Sequence, residues 1–356
     1  MIRVLTHFVG SRWLLFSGAV VLLTISLPAC NRQDTGAGAS DARAGDDGRR
    51  AIEPLPASED TSSEQTAAKT GFQPDARRAK AYLEQICKIG PRVSGTKGMA
   101  TQQKLLVDHF TKHGAKVGKQ LFDAPHPKTG NPVRFANLIV SWHPGATTRV
   151  LLACHYDTRP FPDEDRRNPR GRFVGANDGA SGVALFMEMA HHMKTLKPTY
   201  GVDFVFFDGE ELVYGRDAPI KQYFIGSKHF ARQYVKQPPK HKYVWGVVVD
   251  MVADRKLELY MEKNSLLLAP KVTRSIWKTA GRLGVREFIP RQKHEIQDDH
   301  LPLNLTALIP TCDIIDFDYA YWHTTADVPA KCSGASLSKV ARVLLTWLEE
   351  APKPER

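Results

Sequence analysis

The sequence has few cysteines, five in 356 residues, and none has the spacing of a zinc finger. No helix-turn-helix or RNP signature accompanies its net charge of +11. The positive charge therefore reads as a soluble basic surface, and no nucleic-acid partner is expected. No internal repeat occurs. With 42% hydrophobic and 24% charged residues, the composition excludes a chain disordered throughout, a collagen-like chain and a multi-span membrane protein.

The first thirty residues read as an address. Arg3 and Arg12 precede an apolar run from Trp13 to Leu27, a charged segment followed by an apolar one, as in an export leader. The run meets Leu27-Pro28-Ala29-Cys30, which resembles a bacterial lipobox, with Pro28 where a small or aliphatic residue is usual. The resemblance implies a lipoprotein signal peptide over residues 1–30, with Cys30 lipidated and left as the first mature residue. An uncleaved membrane anchor is the alternative. Both place the body outside the cytoplasm, facing the periplasm or the cell exterior, and tethered to a membrane. Residues 31–73 are rich in Gly, Ala, Ser, Thr, Asp and Pro and bury too little apolar surface to offset the entropy of ordering, so they read as a disordered tether. Cys87, Cys154, Cys312 and Cys332 can form two disulfides in three pairings or remain buried thiols.

From residue 74 to 356 strand and helix patterns alternate. Helical spacing predicts helices from Pro74 through Cys87 and over 99–113, 180–193, 226–234, 267–283 and 337–349. Short apolar runs predict strands over 135–142, 149–154, 202–207, 243–249 and 308–315. Continuous apolar strands between helices imply a single α/β domain with a mixed, mostly parallel twisted sheet covered on both faces.

Such sheets bind ligands beyond the carboxyl ends of their strands, and these ends carry metal-binding residue types. One strand runs into His155-Tyr156-Asp157, the next into Asp208-Gly209-Glu210-Glu211, another into Asp250, and Phe317–Tyr321 precedes Trp322-His323-Thr324. Asp178 precedes an apolar helix, which its carboxylate could also cap. Each alone has an ordinary structural explanation. Five segments together point to a zinc site of imidazole and carboxylate donors with one position left open.

The motifs Gly90-Pro91-Arg92-Val93-Ser94-Gly95, His155-Tyr156-Asp157, Asn177-Asp178-Gly179, Phe207-Asp208-Gly209-Glu210-Glu211, Asp250, Gln297-Asp298-Asp299-His300 and Trp322-His323-Thr324 resemble the zinc aminopeptidase superfamily, most of all its glutaminyl-peptide cyclotransferases of bacterial type. For a cyclase the resemblance implies one zinc on Asp178, Glu211 and His323. For an aminopeptidase it implies a second zinc on His155 and Asp250, with Asp178 bridging. It implies Glu210 as the proton carrier, Asp250 and Asp298 in a hydrogen-bond network with it, and Trp322, Asp299 and Tyr319 on the substrate side. Three departures stand out, the first being that Asn177-Asp178-Gly179-Ala180-Ser181-Gly182 reads more like a peptidase than an animal cyclase. Animal cyclases carry a further pocket tryptophan where this chain has Leu212–Arg216, with Tyr214 the candidate substitute, and a histidine where it has Asp313.

The resemblance thus implies conversion of N-terminal glutamine to pyroglutamate, with di-zinc aminopeptidase activity as the alternative. A peptide-binding lipoprotein without catalysis is a third reading, and the presence of Glu210 and every ligand weighs against it. The expected partners are peptides with a free N-terminus and, through the lipid anchor, a membrane; the chain is expected to be a monomer.

Overall fold

Side chains alternate across a strand, so each strand of a covered sheet feeds two cores at once. In β3 (Thr148–His155), Val150, Leu152 and Cys154 face one core while Leu151 and Ala153 face the other. β4 (Gly201–Phe207) and β5 (Lys242–Asp250) divide in the same way. This double burial produces the continuous apolar runs in the sequence. The computed structural model describes residues 71–354. The leader, Cys30 and the tether up to residue 70 lie outside the described residues. At the end of the expected tether, Phe72 packs against the main core, its ring edge-on to His192.

In chain order the elements are α1 (Ala76–Ile89), α2 (Lys97–Lys112), β1 (Lys116–Pro125), β2 (Pro132–Trp142), β3, α3 (Ala180–Met189), β4, α4 (Ile225–Lys236), β5, β6 (Leu259–Glu262), α5 (Lys263–Leu268), α6 (Pro270–Arg282), β7 (Phe288–Lys293), α7 (His300–Leu305), β8 (Thr311–Ile315) and α8 (Gly334–Glu350). The main sheet has the order β1-β2-β4-β3-β5-β8. The strands β4, β3, β5 and β8 run parallel, and β2 and β1 continue the sheet antiparallel. β6 and β7 form a separate parallel pair. Residues of α1, α2, α3, α6 and α8 share the larger core, and α4 and α7 cover the other face.

The mixed, mostly parallel sheet covered on both faces agrees with the sequence reading. Some boundaries differ. The helix expected to reach 193 ends at Met189. The one expected over 267–283 breaks at Ala269, directly before Pro270, whose ring cannot continue the preceding helix. The last strand starts at Thr311, after Pro310 and a left-handed Leu308. The cysteines of the described residues are buried free thiols, not disulfides.

Candidate functional site

Four parallel strands end on the same rim, and the loops beyond them carry the polar residues. Asp157, two residues past β3, is fully buried. Its two oxygens accept the backbone N–H groups of Glu210 and Glu211, each at 3.1 Å. One carboxylate thereby fixes the turn after β4. That turn needs Gly209, at φ 75°, because a Cβ there would lie 2.5 Å from the Phe135 ring. The loop before α3 is held from behind. Asp327 accepts the N–H groups of Asn177 (2.8 Å) and Asp178 (3.1 Å), and is itself held by the Tyr319 hydroxyl at 2.7 Å. Arg92, fully buried, donates to the carbonyls of Val174 and Gly175. Gly179, at φ 85°, caps α3, and its missing Cβ would meet the Asp157 carbonyl oxygen at 2.5 Å. No side chain caps α3, so the Asp178 carboxylate does not serve as the cap its position suggested.

These supports bring distant residues together. His323 Nε2 lies 2.8 Å from Glu211 Oε1 and 3.4 Å from Asp178 Oδ2. His155 Nε2 lies 3.3 Å from Asp178 Oδ1 and 3.2 Å from Asp250 Oδ1. Ligand atoms of Asp178, Glu211 and His323 fall within 4.8 Å of one another, and those of His155, Asp178 and Asp250 do likewise. His323 adopts a left-handed φ of 52° and Met251, next to Asp250, one of 49°. Backbone strain of this kind persists where surrounding contacts over-determine a site.

The electrostatics ask for a cation. Asp178 Oδ2 is buried with no hydrogen-bond partner, and burial together with the Glu211 charge raises its pKa. Two buried carboxylates around one imidazole are costly unless a positive charge joins them. Oxygen and nitrogen donors in this number suit zinc with one position left open, so the residues present fit the ion. Burial holds His323 below its ordinary pKa, in the neutral form a ligand needs. Burial pulls Glu211 upward, but His323 and Arg159 outweigh it and hold this carboxyl low. Its neighbour Glu210 goes the other way, raised by burial and by the Glu211 charge. Adjacent carboxyls with oppositely shifted pKa values separate an anionic ligand from a proton carrier.

A cavity of about 370 Å³ opens over these groups. Asp178, Glu210, Glu211, Asp250, Asp298 and His323 line it, with Trp322, Phe317, Tyr223 and Phe224 as aromatic wall. The Trp322 ring stacks on His323, centroids 3.8 Å apart. Burial, then Asp299 and Asp250, raise the pKa of Asp298. Two residues expected on the substrate side do not line this cavity. Asp299 is fully buried and accepts the Ser227 hydroxyl at 2.5 Å. Tyr319 is buried behind the Asp178 loop on Asp327. Tyr214 lines a neighbouring cavity with Phe161 and Arg216. Sequence reasoning missed the roles of Asp157, Arg159 and Asp327. Asp157 sits inside a quoted motif, whereas Arg159, whose guanidinium lies 3.4 Å from Glu211 and 2.6 Å from Asp163, carries no local signal.

The model of peptidase family M28 matches residues 137–348, which include all these residues. The chain belongs to peptidase family M28. Among solved structures, this M28 chain resembles the glutaminyl cyclase of Fimbriiglobus ruber at 39% identity and a TM-score of 0.76, covering 82% of this chain and 100% of that one. It also resembles a leucine aminopeptidase precursor from Bacteroides thetaiotaomicron at 30% identity and a TM-score of 0.74, covering 80% of this chain and 99% of that one. A curated relative, the glutaminyl-peptide cyclotransferase-like protein of Bos taurus, is 27% identical over 251 residues, 62% of this chain and 61% of the relative. The chain thus spans about three-fifths of the length of the curated relatives it matches first.

Proposed function

We propose that this M28 chain converts the N-terminal glutamine of peptides to pyroglutamate with release of ammonia. The observation that carries the reading is the placement of Asp298 on the cavity wall with Glu210 and Asp250. These carboxyls line one cavity together with Trp322. The family resemblance to structures named glutaminyl cyclases supports it.

The α-amine nitrogen attacks the side-chain amide carbon; a C–N bond forms and the bond to the amide nitrogen breaks, releasing ammonia. Ring closure is intramolecular, so this chain must hold the substrate bent and keep water out. Trp322 packs against the glutamine methylenes. Glu210 takes a proton from the attacking amine and returns it to the departing nitrogen. Burial and the Glu211 charge raise its pKa, which favours holding the proton between the two transfers. Asp298 and Asp250 orient the leaving nitrogen. One zinc on Asp178, Glu211 and His323 supplies Lewis-acid polarisation of the amide carbonyl when bound.

Aminopeptidase activity is the second reading, favoured by the further donor set of His155, Asp178 and Asp250 and by the neighbour named a leucine aminopeptidase precursor. Incubation with Gln-peptides and with Leu-anilides separates the two. Ammonia from the first without cleavage of the second supports the cyclase, and the reverse result ends that reading. Metal analysis should find about one zinc in this cavity for a cyclase and about two for a peptidase, with loss of zinc in His323→Ala. The export leader and Cys30 support a membrane-tethered enzyme acting on peptides outside the cytoplasm.

A further inference from the structure

Ten residues of α3 lead away from Asp178, about 15 Å at the helical rise of 1.5 Å per residue. Beyond its far end three imidazoles meet. His109 on α2 and His113, the residue that ends α2, stand about one turn apart with ring centroids 4.4 Å apart. The ring of His191, just past α3, lies 4.3 Å from that of His113 and 6.1 Å from that of His109. One ring nitrogen from each residue lies within 4.8 Å of the other two. Two ligands about 2.0–2.1 Å from a tetrahedral zinc stand about 3.3 Å apart, so small ring rotations close the gap. His109 and His113 are half-buried and His191 is open to solvent, which leaves an entry path.

Each ring is also tied to a second group. His109 Nε2 lies 3.0 Å from the Met187 carbonyl, and His113 Nδ1 lies 2.8 Å from the His109 carbonyl. A carbonyl only accepts, so these nitrogens carry the proton, and Nδ1 of His109 and Nε2 of His113 are left as lone pairs. The Tyr82 hydroxyl of α1, 2.7 Å from His191 Nε2, can accept a proton in the same way. A backbone carbonyl or another acceptor on the distal nitrogen is the usual support of a metal-bound histidine. Among the described residues no hydrogen bond joins the three rings to one another. The nearby Arg78 is neutralised by Glu188 at 2.6 Å.

We propose that His109, His113 and His191 form a second metal site, separate from the catalytic cavity, for a zinc-class divalent cation, with water completing the shell. Imidazole selects zinc, nickel, cobalt or copper over the hard, oxygen-seeking calcium and magnesium. The ion clips α2 to the segment after α3, with Tyr82 adding α1, so its role is structural.

The test strips the full chain with chelator, refills it with Zn2+, and counts zinc per chain after dialysis by mass spectrometry. Thermal melts at increasing Zn2+ accompany the count. His191→Gln should hold about one zinc fewer than the unaltered chain, lose the zinc-dependent rise in melting temperature, and keep its turnover of Gln-peptides within about twofold, because His191 lies outside the active site. Tyr82→Phe should weaken that zinc about tenfold, as loss of a supporting hydrogen bond does. If His191→Gln fails to fold by circular dichroism, His113→Gln carries the same count. Equal zinc counts in the folded variant and the unaltered chain overturn the proposal, whichever activity the cavity supports.

Discussion

Replacing Asp157 by Asn tests whether the site is built from behind. The fully buried carboxylate holds two backbone N–H groups, those of Glu210 and Glu211, each at 3.1 Å. Hydrogen bonds to a charged acceptor contribute about 1.5–3 kcal/mol each. Asparagine keeps one acceptor oxygen but turns an NH2 toward the second N–H, which is left buried and unpaired. The expected loss is about 2–4 kcal/mol, one charge-assisted bond plus part of the desolvation of the orphaned group. The turn carrying Glu210 then relaxes, and a displacement of about 1 Å from productive geometry can lower turnover about 100-fold. Urea unfolding gives the first quantity and ammonia release from Gln-peptides the second. An Asp157→Asn chain within about 0.5 kcal/mol of the parent and within threefold of its rate would refute the reasoning.

Glu210→Gln should keep the fold and the bound zinc while losing about 100- to 10,000-fold in turnover, the usual range for a proton carrier; near-normal ammonia release would mean that another group moves the proton. Asp316 is buried, accepts the N–H groups of Glu258 and Asp318, and is pushed by burial to about 7. Its folded pKa lies above the unfolded value of about 3.9, so the stability it confers is complete below about pH 4 and lost as pH rises through 7. Asp316→Asn removes that loss, and its stability relative to the parent should improve by about 2–4 kcal/mol between pH 4 and pH 8; a pH-independent difference in urea melts contradicts the assignment. If Cys30 is lipidated, labelled fatty acid should enter the parent chain and not Cys30→Ser, and equal labelling of the two rules that out.

The central strands are legible in the sequence because burial on both faces leaves an unbroken apolar run, as in 202–207. β1 is not, since it is an edge strand with only Phe122 buried, and its polar alternation resembles a loop. The proposed ligands are legible because each follows a readable strand or motif. Their supports are not. Asp157 acts on a neighbouring strand end, Asp327 acts across the sheet rim on Asn177 and Asp178, and Arg159 acts on Glu211. Such pairings depend on strand order, which local periodicity does not encode. Tyr319 shows the same limit: its place near His323 in sequence suggests substrate contact, whereas its hydroxyl faces inward to Asp327. His109 and His113, at the end of α2, show helical spacing by themselves, but only the packing of α3 brings His191 to them.

The carboxylates and the imidazole of the metal set come from three loops spread between Asp178 and His323, joined by strands that pair out of chain order. No contiguous fragment of modest length holds the full grip. An ion held by this proposed set would therefore be captured only late, after the non-local ladders that fold slowly have closed. Metal retention becomes a gauge of finished folding. A truncation before residue 323, or a chain trapped with β8 undocked, should emerge from synthesis empty of zinc even where its helices look complete.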